Sequence, residues 1–287
     1  MDNTEYREQL KNRKRIVVKV GSSSLLHPET GRMDYRKLDR LVRELSDLKN
    51  AGKEVILVTS GAAAVGREAI NMKRELVSED SPVTVKQACA AIGQARLMMI
   101  YQRFFEQYNQ LAAQVLMTRD TITNILSKYN LHNTFTELLK LGVIPVVNEN
   151  DSVATAEFSV GDNDNLSALV ASVLNADLLI LLSDVDGLYT DDPRNDPKAE
   201  FIEFVEHLDE TTMKMGKSST GSGSGTGGMS TKLHAALVAT RSGCDMVIVE
   251  SGDMSAVHKV TDGENIGTLF KADKDPDFDL ARYLLGM

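Results

Sequence analysis

Short runs rich in β-branched residues alternate with stretches of helical spacing along most of the chain, and this alternation limits the possible folds most strongly. Buried strands are predicted at residues 16–20, 55–59, 113–117, 143–147, 178–182 and 246–249. Between them, Leu38, Leu41 and Leu45 recur three or four positions apart, as on one face of a helix. Alternating strands and helices form βαβ units, in which helices cover both faces of parallel strands. The sequence therefore predicts an α/β fold, with an open, mainly parallel sheet sandwiched between helices in three αβα layers.

Further helices are predicted over residues 85–108, 135–141, 163–174 and 229–242, with a short amphipathic piece at 278–285. Residues 217–228 are rich in glycine, serine and threonine and are interpreted as a loop within one domain, because helix and strand patterns resume after them. We expect residues 217–224 to be poorly ordered without a bound nucleotide, because they bury little apolar area. The simplest organisation is a single domain over residues 1–287.

Composition excludes several classes of protein. The 287 residues include 32 Lys and Arg against 41 Asp and Glu, a formal net charge of −9, so an overall basic surface for nucleic acid is absent. Two cysteines, Cys89 and Cys244, provide no disulfide framework. The longest apolar runs, such as 178–182, are far short of the ~20 residues that span a bilayer. We therefore expect a cytoplasmic protein with no nucleic-acid or membrane partner.

Several short motifs are similar to those of known binding or catalytic sites, but their context in the sequence does not support such a site. Gly223, Gly225 and Gly228 match G-x-G-x-x-G, but no strand precedes them, as a dinucleotide site requires. Lys217 follows a glycine as in a P-loop, but Thr211 stands where the first glycine belongs. The five histidines form no close pair that favours zinc. A carboxylate pair of the glycosidase kind stays open, since the sequence does not give the separation of its acidic residues.

Polar or glycine-rich turns follow the predicted strands. The first two of these turns contain residues that could bind a ligand. Lys19 lies inside an apolar strand that ends at Gly21. It is either solvated on an edge strand or a cation at the carboxyl end of the sheet, where open α/β folds bind ligands. Ser60 and Gly61 follow the second strand, where glycine permits close backbone approach and small residues open a helix that can hold an anion.

Two Asn/Asp clusters are the most specific signal in the chain. The first contains Asn148 and Asp151, and the second contains Asp162, Asn163 and Asp164 at the start of a predicted helix. A capped helix explains one such side chain but not three in succession. These groups could recognise the ammonium and carboxylate ends of an amino acid, or hold and orient cations.

The last two turns are suited to phosphate. Ser183 and Asp184 follow the fifth strand. A glycine loop then leads into a helix whose N–H groups, hydroxyls and lysine can cradle phosphate, unless the segment is a solvated linker. Its candidate residues are Thr226, Gly227, Gly228, Met229, Ser230, Thr231 and Lys232.

Taken together, these motifs resemble the amino acid kinase family from about residue 15 to 270, and within it the glutamate 5-kinases. The 183–193 segment is similar to the nucleotide-side motif of the whole family, whereas 147–151, 160–168 and 227–232 are similar to glutamate 5-kinases in particular. The resemblance implies that Lys19 and Lys232 clamp the transferred phosphate and that Asp164 orients both. It implies glutamate-binding positions at Ser60, Gly61, Asn148, Asp151 and Asn163. It implies ATP-binding positions at Lys19, Gly21, Ser183, Asp184 and 226–232.

The implied activity is ATP-dependent phosphorylation of the L-glutamate γ-carboxylate, the first step of proline biosynthesis. The resemblance implies ATP and Mg²⁺ as cofactors, with Mg²⁺ held mainly by the ATP phosphates and no confident metal ligand from the protein. It also implies proline as a feedback inhibitor and a homodimer or homotetramer, with the helix at 85–108 suited to a subunit interface. Glutamate would bind on the side of residues 15–175 and ATP on the side of 176–270. No C-terminal PUA domain is expected.

Two alternatives remain. One is another amino acid kinase, of the aspartokinase or acetylglutamate kinase type, which the Asp162–Asp164 cluster disfavours. The other is a non-catalytic sensor of amino acid or nucleotide, which the presence of both lysines and Asp164 disfavours.

Overall fold

The computed structural model describes residues 2–72, 82–153, 163–216 and 228–286. Of the predicted site residues, Asp162, Thr226 and Gly227 lie outside this part of the chain. The segment 217–224, which we expect to be poorly ordered without nucleotide, lies outside it as well.

Strands and helices alternate as the sequence predicts. The strands are β1 (Arg15–Val20), β2 (Glu54–Val58), β3 (Leu111–Met117), β4 (Val143–Glu149), β5 (Leu178–Ser183), β6 (Leu188–Tyr189), β7 (Phe201–Ile202), β8 (Phe204–Val205), β9 (Asp245–Glu250) and β10 (Thr268–Phe270). The helices are α1 (Asn3–Glu8), α2 (Ser22–Leu25), α3 (Tyr35–Asn50), α4 (Ala62–Ala69), α5 (Val83–Gln107), α6 (Arg119–Thr123), α7 (Ile125–Lys140), α8 (Asn163–Leu174), α9 (Glu210–Met215), α10 (Met229–Arg241), α11 (Ala256–Thr261) and α12 (Leu280–Gly286).

Within the described residues, eight strands form one sheet in the order β3-β4-β2-β1-β5-β9-β10-β8. All neighbours pair in parallel except β9 and β10, which are antiparallel. Successive side chains of a strand face opposite sides of the sheet. Ile16 and Val18 on β1 therefore pack in one hydrophobic cluster, and Val17 packs in the other. Helices cover both clusters, so the predicted three-layer α/β fold is confirmed.

The strand order reverses at β1. The chain winds from β1 through β2 to the β3 edge and then returns to the opposite side of β1 with β5. Ligands of open α/β sheets bind beyond the carboxyl ends of the strands at such a reversal. Lys19 pairs with Val58 on one side and Leu181 on the other, so the alternative of a solvated lysine on an edge strand is wrong.

The predicted elements differ from the structure at several places, and the two-residue strands β6, β7 and β8 were not predicted. Helix α8 has the predicted bounds, whereas α7 begins at Ile125 rather than near residue 135. The short antiparallel strand β10 was not among the predicted strands, because three residues carry too little pattern. None of the described helices is long and apolar enough to cross a membrane.

Candidate active site

A carboxylate flanked by two ammonium groups lies at the carboxyl edge of the sheet. Lys19 comes from the end of β1, Asp164 from the first turn of α8 and Lys232 from the first turn of α10. Asp164 Oδ1 lies 2.5 Å from Lys19 Nζ, and Asp164 Oδ2 lies 3.1 Å from Lys232 Nζ. The three residues are 1–6% exposed, and charges this deeply buried require partners. Two buried ammonium groups held this close together are suited to an anionic ligand.

The surroundings of Lys19 leave room for such an anion. A Cβ on Gly21 would lie 3.5 Å from Lys19 Nζ and 3.6 Å from Ser23 Oγ. Because glycine has no Cβ, this space beside the ammonium group stays open to a ligand.

The N-terminus of α10 points to the same chemistry. Gly228 is its N-cap, Met229 and Ser230 begin the first turn, and Thr231 Oγ1 donates a 2.8 Å hydrogen bond to the Gly228 carbonyl. The first N–H groups of a helix lack intrahelical acceptors and attract anions. Lys232 is buried in this turn, so its interpretation as part of a solvated linker is wrong.

Ser183 and Asp184 lie at the end of β5, next to β1 in the sheet. Ser183 Oγ donates to Asp184 Oδ1 over 3.2 Å, and the Ser183 carbonyl accepts the Ser251 N–H over 2.7 Å. Leu182 pairs with Val20, so Gly21 and Ser183 follow directly at the same edge of the sheet. Asp184 is exposed and follows Ser183 at this edge.

On the β2 and β4 side, four of the five predicted amino-acid-binding residues come together. Asn163 Nδ2 donates to Ser60 Oγ over 2.6 Å and to Asn148 Oδ1 over 3.2 Å. Gly61 has φ of +102° as the N-cap of α4, a left-handed conformation that favours glycine. Because Asn163 precedes Asp164 in the chain, this amide cluster adjoins the lysine cluster.

Asp151, the fifth of these residues, lies in the turn after β4. The structure shows no hydrogen bond between its carboxylate and Asn163 within the described residues. Burial raises the pKa of the Asp151 carboxyl above its ordinary value, which is the effect expected of a carboxylate without a cation beside it. A bound ammonium group would offset that effect.

Two residues that support the site were missed by sequence reasoning. Gln94 Oε1 accepts a 2.8 Å hydrogen bond from Asn148 Nδ2. The hydroxyl of the fully buried Tyr101 lies 2.6 Å from Thr59 Oγ1, beside Ser60. Both lie on α5, whose apolar spacing indicated packing. In the sequence, Gln94 is only a polar residue after a glycine within a predicted helix, which does not indicate a role in a site.

A group of acidic, histidine and cysteine side chains able to hold a metal is not found in the parts of the chain that the structure describes. Asp164, one of the acidic residues considered for a glycosidase pair, instead contacts two ammonium groups.

The sequence comparisons agree with this geometry. The model of the amino acid kinase family matches residues 14–250. The chain belongs to the amino acid kinase family. Its curated relatives in the family include the glutamate 5-kinase of Carboxydothermus hydrogenoformans, 49% identical, over 92% of this chain and 69% of that protein. The glutamate 5-kinase of Clostridium perfringens is 45% identical over 93% of this chain and 99% of its own length. The resemblance to glutamate 5-kinases is thus confirmed.

Solved structures of the amino acid kinase fold are similar at lower identity. A carbamate kinase from Giardia lamblia bound to AMP-PNP has a TM-score of 0.64 at 18% identity, over 92% of this chain and 100% of that one. A UMP kinase from Ureaplasma parvum has a TM-score of 0.61 at 14% identity, over 90% and 99%. These similarities establish the fold alone.

Proposed function

We propose that the chain catalyses ATP-dependent phosphorylation of the γ-carboxylate of L-glutamate, giving L-glutamyl 5-phosphate and ADP, the first step of proline biosynthesis. The observation that carries this proposal is the adjacency of two polar groups: the Lys19–Asp164–Lys232 ionic cluster and the amide cluster around Asn163. The first is suited to phosphate and the second to an amino acid. The identity of 45–49% to two glutamate 5-kinases over more than 90% of this chain supports the same activity.

The nucleophile in this reaction needs no general base. A free glutamate side chain has a pKa of about 4.3, so its γ-carboxylate is already ionised at neutral pH. The barrier is electrostatic, because an anion must approach a triphosphate. Lys19 and Lys232 supply two preorganised positive charges in a buried site, where they stabilise the negative charge of the transferring phosphoryl group.

Asp164 then acts on the two lysines and not on the substrate. Its two carboxylate oxygens each face one ammonium group, which fixes the separation of the two cations before ATP arrives. Preorganisation of this kind avoids the cost of moving charges during the reaction.

The acceptor would bind on the amide side of the site. Asp151 would pair with the glutamate ammonium group, and Asn163, Asn148, Ser60 and the backbone at Gly61 would hold its polar atoms. A bound ammonium group would lower the raised pKa of Asp151, because an opposite charge favours the ionised carboxyl.

The nucleotide would bind on the β5 and α10 side. Gly21, Ser183, Asp184 and the segment 226–232 would surround the ATP, with N–H groups of the α10 first turn on its phosphates. Mg²⁺ would be held mainly by the ATP phosphates and would neutralise part of their negative charge. Glutamate would thus bind on the side formed by residues 15–175, and ATP mainly on the side formed by 176–270, with Gly21 contributed by the first side.

Three further properties belong to this proposal. Proline would act as a feedback inhibitor at the glutamate side, and the protein would form a homodimer or homotetramer in the cytoplasm. The apolar side chains of Ile92 and Met99 are exposed on α5, which supports α5 as part of a subunit interface.

A hydroxamate assay for acyl phosphate tests the activity. With Mg·ATP, the chain should form acyl phosphate fastest with L-glutamate, when L-aspartate and N-acetyl-L-glutamate are assayed in parallel. A faster reaction with either alternative would assign it to another specificity within the family. Glutamate binding without ATP turnover would instead indicate a non-catalytic sensor.

A further inference from the structure

Four side-chain amides form a hydrogen-bonded chain from the surface to the amide cluster. Gln94 Nε2 donates to Gln114 Oε1 over 3.1 Å, and Asn148 Nδ2 donates to Gln94 Oε1 over 2.8 Å. Asn163 Nδ2 donates to Asn148 Oδ1 over 3.2 Å. The chain thus begins at exposed Gln114 on the edge strand β3 and ends at Asn163, next to Asp164.

Two backbone groups determine the direction of every hydrogen bond in this chain. The Glu149 N–H, which can only donate, lies 2.9 Å from Asn148 Oδ1. The Thr59 carbonyl, which can only accept, lies 2.7 Å from Asn163 Nδ2. The oxygen of Asn148 therefore faces Glu149 and Asn163, and its nitrogen faces Gln94.

Gln94 supplies the acceptor that this orientation of Asn148 requires. Asn148 is 2% exposed, so an Nδ2 group without an acceptor there would be costly. If the amide turned over to find another partner, its NH₂ group would face the Glu149 N–H and the Asn163 NH₂ group. Donors would then oppose donors at two positions.

We propose that Gln94 is a positioning residue for the acceptor substrate: its Oε1 holds the Asn148 amide, and through it Asn163, in the orientation that the substrate meets. This inference rests on the function proposed above, since it assigns the amide cluster to glutamate. Gln94 acts through Asn148, and its effect belongs to substrate affinity and not to phosphoryl transfer.

Two substitutions with side chains of similar length distinguish the effect of the hydrogen-bond acceptor from the effect of side-chain size. Gln94→Met removes the acceptor and should raise the glutamate KM about 10-fold, as expected for one lost hydrogen bond, with kcat and the ATP KM nearly unchanged. Gln94→Glu keeps an acceptor for Asn148 and should hold the glutamate KM within about 3-fold of the original. The exposed Gln114 can turn its amide to donate to the new carboxylate.

Gln102→Met is the matched control, because Gln102 is exposed on the same helix; it should leave both KM values unchanged. An unchanged glutamate KM in Gln94→Met would overturn the proposal. Equal losses in the Met and Glu variants would also overturn it, since packing and not the acceptor would then be responsible. If the original chain forms no acyl phosphate, the proposed function fails by itself. Glutamate binding to the same variants, measured by calorimetry, then decides the role of Gln94 separately.

Discussion

At the scale of single residues, Asp164 determines how the two lysines of the site are arranged. One carboxylate, 1% exposed, contacts ammonium groups from two different elements. All three residues were named from the sequence: the cost of burying a lysine pointed to Lys19, and the resemblance to the amino acid kinase family implied the roles of Asp164 and Lys232. Without that resemblance, the residues alone do not show that one carboxylate contacts both lysines, since this depends on how α8 and α10 pack.

At this residue scale, Lys232 should control the rate of transfer. Lys232→Ala removes a cation whose contribution grows as charge develops, so kcat should fall about 10²–10³-fold while the glutamate KM changes much less. Lys232→Arg should not restore the full rate, because a planar guanidinium does not replace a compact ammonium group. Steady-state kinetics at saturating Mg·ATP measure both. A near-normal kcat in Lys232→Ala would show that Lys232 does not contact the transferring group.

Asp151 should control glutamate affinity instead. Asp151→Asn removes the charge opposite the substrate ammonium group and should raise the glutamate KM with a smaller effect on kcat, as for uniform binding. Burial raises the pKa of Asp151, so on acidification it takes up a proton at a higher pH than an ordinary aspartate and loses this attraction. In the original chain, kcat/KM for glutamate should therefore begin to fall at a higher pH than in Asp151→Asn. Titration of glutamate itself affects both proteins alike, and superimposable pH profiles would exclude the role.

At the scale of elements, the strands that hold the site were predictable and the ends of several helices were not. The β-branched runs that became β1, β2, β4 and β5 are buried on both faces and read as continuous apolar stretches. Helix α7 instead begins with Ile125 and Leu126, both exposed, which obscures its helical period. Its true signal was Asn124, whose side chain accepts the Ser127 N–H as an N-cap.

The crossing of α4 and α5 is an element-scale feature that depends on two glycines. A Cβ on Gly93 would lie 1.7 Å from the Ala62 carbonyl oxygen, and one on Gly66 would lie 1.8 Å from that of Cys89. The two helix backbones are therefore in direct contact. Because α4 begins directly after Ser60 and Gly61, this contact also fixes the amino-acid side of the site.

Gly93→Ala should therefore force the helices apart. The clash should exceed the roughly 1 kcal/mol that alanine gains in a helix and lower the free energy of unfolding by at least about 2 kcal/mol. Urea denaturation measures it, and the glutamate KM should rise as α4 shifts. Gly252→Ala is the control, because its Cβ would have no neighbour closer than 3.5 Å. Equal stability of the two variants would contradict close packing at Gly93.

At the scale of the whole molecule, the N-terminal helix holds together parts of the chain that lie far apart in sequence. Arg7 on α1 is fully buried, and its guanidinium donates to the carbonyls of Glu203, Ile266 and Gly267 at 2.8–2.9 Å. Tyr6 donates to Asp245 over 2.8 Å. These contacts join the N-terminus to β8, β9 and β10, where parallel pairing gives way to antiparallel pairing. No periodic pattern in the sequence predicts the Arg7 contacts, because a single side chain makes them with backbone carbonyls.

This arrangement predicts that Arg7 is needed for stability and not for catalysis. Arg7→Met keeps the apolar stem but removes the donor to the Ile266 and Gly267 carbonyls, each loss costing about 1–3 kcal/mol. The Glu203 carbonyl keeps the Leu269 N–H, so the free energy of unfolding should fall by about 2 kcal/mol or more. Arg36→Met, on an exposed position of α3, should change it by no more than about 0.5 kcal/mol. Where both variants are folded, their kcat values should match the original, because the Lys19–Asp164–Lys232 cluster is built from β1, α8 and α10. A selective loss of kcat in folded Arg7→Met would instead show that the β8–β10 edge and the active site are coupled.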